Sequence, residues 1–432
     1  MSVAAIALVV SLIVFMAIGI PITFSLGMSS LLAIALSKPL SITLIVTKIF
    51  AGADSFPILA VIYFMIAGEL MLQGGLTKRL VALFRKLLGW IPGSMVVISF
   101  ITCAFFGAIS GSALATTAAI GNVMYPEMTK DDDYPVPFAA SIQAVGGTLG
   151  TMIPPSLPLI LFGCLSGTSV SSLFIATIIP GLLMTAIYMA TGLVIAHKNG
   201  YGRSDQNGAA ENRSFWTIFK EAIWALLSPL LILGGIYGGI FTATEAAIVA
   251  CIYSLFVGVF VYHELDLKSA YTAILNAAKS SASVMFLCCC ATLFGYCMTV
   301  LGLPQLVTAA ITSVIKSPVV FLLGANIIYI LCGMFVDATT AILLVCPLLY
   351  PAASAFGIDL VQFGVITGIN LSMGIVTPPF GGCMFVATGL DKRIKLEDLY
   401  RGVIPFCLTG VLGILAVTYI EPLSMFLVSI MK

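Results

Sequence analysis

Residues 150–158 read GTMIPPSLP and residues 374–382 read GIVTPPFGG. Each sets two adjacent prolines inside an apolar run. Neighbouring prolines remove two backbone donors and clash with the preceding turn, so a continuous helix cannot pass through either stretch. The two stretches belong to a series. Pro92 answers to Pro318, Tyr125-Pro126 to Tyr350-Pro351, Pro154-Pro155 to Pro378-Pro379 and Pro180 to Pro405, at offsets of 226, 225, 224 and 225. An ordered set of matches with so little drift marks an internal repeat, one copy in each half of the chain.

Of the 432 residues, 60% are hydrophobic and 9% charged, against about 25% charged in a soluble domain. The fold class is an all-α, polytopic membrane protein. Nineteen Lys and Arg against eighteen Asp and Glu leave a formal charge of +1, so there is no basic field to hold nucleic acid. The N-terminal run is apolar and has no Lys or Arg before Lys38. It lacks the basic flank of a signal peptide and reads as a retained first span. Eleven cysteines lie scattered through apolar segments as small hydrophobes. Cys288, Cys289 and Cys290 are consecutive, so on a helix they point apart and cannot share one metal.

Spanning helices are expected at 3–20, 22–36, 57–73, 138–163, 173–196, 222–241, 245–262, 282–300, 361–390 and 402–427. Two further apolar stretches, 91–125 and 318–351, carry polar clusters near the middle, GAISGS and GMFVDATT. Too little length remains after each cluster to complete a crossing, so both read as re-entrant hairpins with polar tips. Such tips are tolerated in a membrane only where protein or a watery cavity surrounds them. Residues 38–54 and 264–280 are amphipathic, with charged ends, and are expected to lie along the interface. The hydrophilic stretch 197–220 is a linker dividing the chain nearly in half.

Orientation follows from the basic residues. Residues 77–89 hold Lys78, Arg79, Arg85 and Lys86, where the counterpart 304–316 holds Lys316 alone. Residues 391–401 hold Lys392, Arg393, Lys395 and Arg401, where the counterpart 164–175 holds none. The basic member changes halves, so the positive-inside rule puts the two copies in opposite orientations. The linker, with Lys198, Arg203, Arg213 and Lys220, is then cytoplasmic and both termini external. Lys38 and Lys48 run against this scheme.

A helix interrupted inside the membrane exposes N–H groups suited to a carboxylate on one side and carbonyls suited to a small cation on the other. Four such breaks, one hairpin tip and one Pro-Pro kink per half, are expected to meet near the midplane, where secondary transporters hold substrate and ions. Gly150 and Gly374 each precede a proline pair, and Thr377 supplies a hydroxyl where the first half has Ile153. Gly107, Ala108, Ser110, Gly111 and Ser112 form one tip; Gly333, Asp337, Thr339 and Thr340 form the other. Backbone carbonyls and hydroxyls are hard donors that suit Na+, although small residues also serve close helix packing, the reading given to isolated Gly234 and Gly413. Asp337 is the only charged residue between Lys316 and Asp359. It can ligate a cation, bond a substrate hydroxyl or cap the returning half-helix. Glu69 also sits in apolar surroundings, and Glu245, in FTATEAA, reads as a structural carboxylate at a helix start after Thr242.

Enzyme chemistry finds no support. The two histidines, His197 and His263, lie far apart at span ends, without an H-E-x-x-H motif. GAISG at 107–111 has no intramembrane His or Lys to take a proton from Ser110 or Ser112. No G-x-x-x-x-G-K-[ST] phosphate loop is present.

The motifs GAISGSALATTAAIG, GTMIPPSLPLILFG, FTATEAA, FVDATTA and GIVTPPFGG, in this order over essentially the whole chain, resemble the large membrane subunit of tripartite ATP-independent periplasmic (TRAP) transporters. The resemblance implies a multi-pass protein of the bacterial inner membrane that imports an organic acid, coupled to Na+, by an elevator movement. It also implies a periplasmic substrate-binding protein that delivers cargo and a small four-helix membrane subunit, here a separate chain because the first span begins at residue 3. Relatives carry sialic acid, C4-dicarboxylates or keto acids. On this reading residues 1–90 hold scaffold helices and the first interfacial arm, 91–172 the first half of the transport domain and 173–196 a connecting helix. The cytoplasmic linker is 197–220, 221–317 hold further scaffold and the second arm, 318–400 the second transport half and 401–432 a last transmembrane helix. One Na+ site is carried over onto Ala108, Gly111, Gly150 and Ile153, and the other onto Gly333, Gly374, Thr377 and Phe380. Substrate contacts are assigned to Ser112, Thr116, Asp337 and Thr340. The alternative is a stand-alone ion-coupled carboxylate symporter that needs no binding protein.

Overall fold

The computed structural model describes residues 3–37, 42–130, 133–202 and 213–431. Its regular structure is helical throughout. The first half holds α1 (Val3–Ala17), α2 (Ile22–Leu36), α3 (Ile42–Ala53), α4 (Phe56–Gln73), α5 (Leu76–Leu88), α6 (Ser94–Ser110), α7 (Ala113–Thr129), α8 (Val136–Met152), α9 (Leu157–Ser166) and α10 (Val170–Asn199). The second half holds α11 (Phe215–Tyr237), α12 (Ala243–Phe256, continued by a π turn, Val257–Val261), α13 (Leu267–Val300), α14 (Leu303–Val314), α15 (Pro318–Phe335), α16 (Ala338–Ala355), α17 (Leu360–Gly374), α18 (Gly382–Thr388), α19 (Leu396–Tyr419) and α20 (Pro422–Ile430). Nine helical stretches among the described residues are long and apolar enough to cross a membrane.

Both proline pairs break the chain where the sequence requires. α8 ends at Met152 and α9 begins at Leu157; α17 ends at Gly374 and α18 begins at Gly382. Both Pro-Pro peptides are cis. The two broken helices form the centre of the molecule, since every residue from Phe138 to Met152 and from Gln362 to Gly374 is buried. Thr151 Oγ1 and Ser372 Oγ, 2.7 Å apart, join them by a hydrogen bond. Around this pair, α6 and α7 pack on α8, and α15 and α16 pack on α17.

Several boundaries differ from the sequence reading. The stretch 264–280 is not a separate interfacial element: from Leu267 it runs unbroken into the expected span 282–300 as the 34-residue α13. No proline or glycine falls between Leu267 and Phe294 to stop it. Its counterpart does break, at Asp54-Ser55 just before Pro57, and leaves α3 lying along α13. The last span divides ahead of Pro422 into α19 and α20. The linker is shorter than 197–220, because α10 continues to Asn199 and α11 begins at Phe215; Arg203 and Lys38 lie outside the described residues. Lys48 stands over the Tyr296 ring, 4.4 Å from its centroid, which gives this cation an aromatic partner.

The connectors ahead of α6 and α15 are helices. α5 buries Leu76, Leu80, Leu83 and Phe84 against α6 and α11 and turns Lys78 outward. Arg79 of α5 stacks on Tyr262, 3.7 Å from the ring centroid, and pairs with Glu264 at 2.6 Å, anchoring this basic end to the turn before α13. At the same end Asp391 accepts from Tyr125 at 3.2 Å and from Arg393 at 2.8 Å. Hydrogen bonds from the Arg393 side chain and backbone hold its carboxyl down to about 2.

Glu245 is the helix-start carboxylate that its sequence context implies. Thr242 Oγ1 accepts from the Glu245 N–H at 3.3 Å, and Glu245 Oε2 accepts from the Thr242 N–H at 2.8 Å, a complete capping box on α12. Thr242→Ala is expected to cost about 1 kcal/mol of stability, read as a lowered thermal midpoint, with transport unchanged.

Candidate functional site

Each expected hairpin tip is a helix end followed at once by a capped helix start. α6 ends at Gly111 in the left-handed conformation (φ 63°), and Ser112 caps α7, its Oγ accepting from Ala115 N–H at 3.4 Å. α15 ends at Phe335, and Asp337, 225 residues after Ser112, caps α16. Its Oδ2 accepts from Thr340 N–H at 3.2 Å and its Oδ1 from the Thr340 hydroxyl at 2.5 Å. Both tips are tied to the chain beyond the proline pairs: Leu157 N–H donates to Gly111 C=O, and Gly381 N–H to Met334 C=O, each at 3.3 Å.

The glycines let these pieces touch. A Cβ at Gly107 would lie 2.7 Å from Gly150 Cα, and one at Gly333 would lie 2.9 Å from Gly374 Cα. These are backbone-to-backbone contacts that no side chain can share. At Gly150 the added carbon would also fall 2.3 Å from Thr116 Oγ1 and 2.6 Å from Ser112 C=O, with Ser110 Oγ 3.1 Å from the same threonine hydroxyl. Oxygen donors therefore crowd the first break. At the second, Gly374 lies against Gly333 and Ile330 C=O, and the Thr377 hydroxyl donates to Met373 C=O at 2.8 Å.

Not every candidate faces open space. Ala108 is buried within α6, and Ile153 ends α8 with its side chain against Gly181. Phe380 is 51% exposed and its ring packs at a tilt against Phe335, so any ion contact from it comes from the backbone. Thr116 and Thr340 are buried behind their tips, each bonded to its own cap residue. Ser112 and Asp337 do face a cavity of about 460 Å³, together with Ser110 and Thr339. Its opposite wall is Gly68 and Glu69 of α4 and Ser280 and Ser283 of α13. No Lys, Arg or His lines it among the described residues. A smaller space of about 60 Å³ separates the two tips, between Gly111, Ser112 and Asp337.

Residues 9–423 match the family model of the tripartite ATP-independent periplasmic transporter, DctM component. The chain belongs to that family. It is a multi-pass permease component and not an enzyme. It is 39% identical to the isethionate TRAP transporter permease protein DctMQ of Oleidesulfovibrio alaskensis, over 95% of this chain and 64% of that one. It is 33% identical to the C4-dicarboxylate TRAP transporter large permease protein DctM of Rhodobacter capsulatus, over 96% of both. The fold resembles the YdaH transporter of Alcanivorax borkumensis, with a TM-score of 0.62 at 16% identity over 98% of this chain and 99% of that one.

Proposed function

We propose that this TRAP permease component imports an organic acid, coupled to Na+, taking cargo from a periplasmic binding protein and bracing against a small four-helix membrane subunit in the bacterial inner membrane. The observation that carries the reading is the doubled break: two capped tips, two proline-pair kinks and two glycine contacts, at offsets near 225 residues. α6 and α7 have 17 residues and α15 and α16 have 18. Each pair meets at a capped polar turn whose residues face a cavity, Ser110 and Ser112 in one and Asp337 and Thr339 in the other, which supports re-entrant hairpins. The exchange of basic residues between halves supports opposite orientations for the two copies.

The oxygens around Gly150 suit Na+, a hard cation, and the N-terminal ends of α7 and α16 present partial positive charge to an anion in the cavity. Asp337 adds an acceptor for a cargo hydroxyl. The hairpins and broken helices move as the transport domain, while α4 and α13 stay in the scaffold. The cargoes named for the two relatives, a sulfonate in one and dicarboxylates in the other, support a small organic anion as the cargo here.

Reconstitution tests the proposal. Proteoliposomes holding this chain and its small subunit are expected to take up labelled isethionate, succinate or N-acetylneuraminate only with an inward Na+ gradient and added binding protein. Uptake by this chain alone supports the stand-alone symporter instead, and uptake indifferent to Na+ removes the ion coupling.

A further inference from the structure

A second cavity, of about 300 Å³, lies between the same scaffold helices at their other end, against the bases of α9 and α16. Part of its scaffold wall repeats part of that of the cargo cavity. Ala277, Val284 and Met65 line the cargo cavity; Ala51, Ile58 and Ala291, each 226 positions away, line the second. The two cavities are thus built in part on matching scaffold positions, one set from each half of the chain. At the same offset, Glu69 in the cargo cavity answers to Gly295 in the other.

The occupied end is the basic one. A Cβ at Gly68 would lie 3.2 Å from Ser110 Cα, so the first tip stands beside Gly68, close to Gln73, where α4 ends ahead of Arg79 and the basic α5. Ser55, which lines the second cavity, precedes the opposite end of α4, 14 residues from Glu69 or about 21 Å along the helix. Among the described residues the Glu69 side chain makes no hydrogen bond or ion pair.

We infer that Glu69 is a release-side residue: a fixed scaffold carboxylate that weakens binding of the anionic cargo when the transport domain stands at the cytoplasmic end, whereas no carboxylate lines the second cavity among the described residues and Gly295 stands at the corresponding position. This rests on the transport reading above. Asp337 travels with the cargo and acts alike in both positions, so it cannot bias one side. Glu69 stays behind and acts in one position only. A carboxylate across a cavity of this size repels a bound anion enough to change its affinity by about tenfold at an effective dielectric near 20.

The test uses proteoliposomes of the assembled transporter and whichever of succinate, isethionate or N-acetylneuraminate the wild type takes up. Glu69→Gln keeps the shape and removes the charge. It is expected to lower the internal concentration giving half-maximal efflux by about tenfold, and to leave external half-saturation within about twofold of wild type. Maximal uptake falls because release slows. Glu69→Asp is expected to behave as wild type. Gly295→Glu, for which the added Cβ meets nothing within 4 Å, is expected to raise external half-saturation instead. Unchanged or weaker internal affinity in Glu69→Gln overturns the assignment and leaves the function standing. Absence of Na+-driven uptake of every probe by the wild type removes the function, and this role with it.

Discussion

Adding one methyl group at Gly150, or at its counterpart Gly374, is expected to raise the Na+ concentration for half-maximal uptake by about ten- to a hundredfold. The reason is geometric. At Gly150 the new carbon would sit 2.3 Å from Thr116 Oγ1 and 2.6 Å from Ser112 C=O. At Gly374 it would sit 2.6 Å from Gly333 Cα and 2.8 Å from Ile330 C=O. Forcing such contacts apart costs about 1–3 kcal/mol, and the strain falls on the oxygens and carbonyls proposed to hold the ion. The matched loss at both glycines is the distinctive part, because it requires two separate sites built on one plan.

Two controls separate an ion site from simple packing. Gly413 packs against Met184, where an added Cβ would lie 2.5 Å from the sulfur, so its alanine variant strains the packing of α19 on α10 without touching Gly150 or Gly374. It is expected to lower thermal stability without changing Na+ dependence. Gly234, read from sequence as a packing glycine, has nothing within 4 Å of an added Cβ, and its alanine variant is expected to be neutral. If Gly150→Ala and Gly374→Ala lower the amount of folded protein while the Na+ dependence of uptake stays at the wild-type value, both glycines serve packing alone.

The central architecture was legible in the sequence because it is written in backbone chemistry. Proline pairs break helices wherever they fall, and Ser112 and Asp337 are residues that cap a helix start, so both kinks and both tips lie where local rules put them. Thr242 and Glu245 were readable for the same reason. The far wall of the cavity was not. Glu69, Ser280 and Ser283 come from α4 and α13, and only packing brings them opposite Ser110 and Thr339. Glu69 carried a partial signal, a lone carboxylate in an apolar run, but nothing local told which way it faced. Thr116 and Thr340 differ from their isolated sequence context in another way: their hydroxyls turn back onto the caps they follow. α13 misled because an amphipathic stretch before a span looks like a separate element unless a breaker is demanded between them, and none is there. The division at α20 was marked by Pro422, a signal passed over inside an otherwise apolar run.

Asp337 sets the second large expectation. Its carboxylate caps α16 through the backbone N–H and hydroxyl of Thr340, and the residue also faces the cavity. Asp337→Ala removes both functions and is expected to abolish uptake while leaving folded protein in the membrane, since losing a cap costs only about 1 kcal/mol. Asp337→Asn separates the two functions, because asparagine caps a helix about as well as aspartate. A residue that only caps would therefore transport normally as asparagine. If the negative charge engages the cargo hydroxyl or the neighbouring ion, asparagine is expected to lose nearly as much uptake as alanine, with thermal stability close to wild type. The stability measurement shows whether the cap survives, and the uptake measurement shows whether the charge is used. Wild-type uptake by Asp337→Asn assigns Asp337 to the helix end alone and leaves Ser110, Ser112 and Thr339 as the polar groups by which the tips meet cargo.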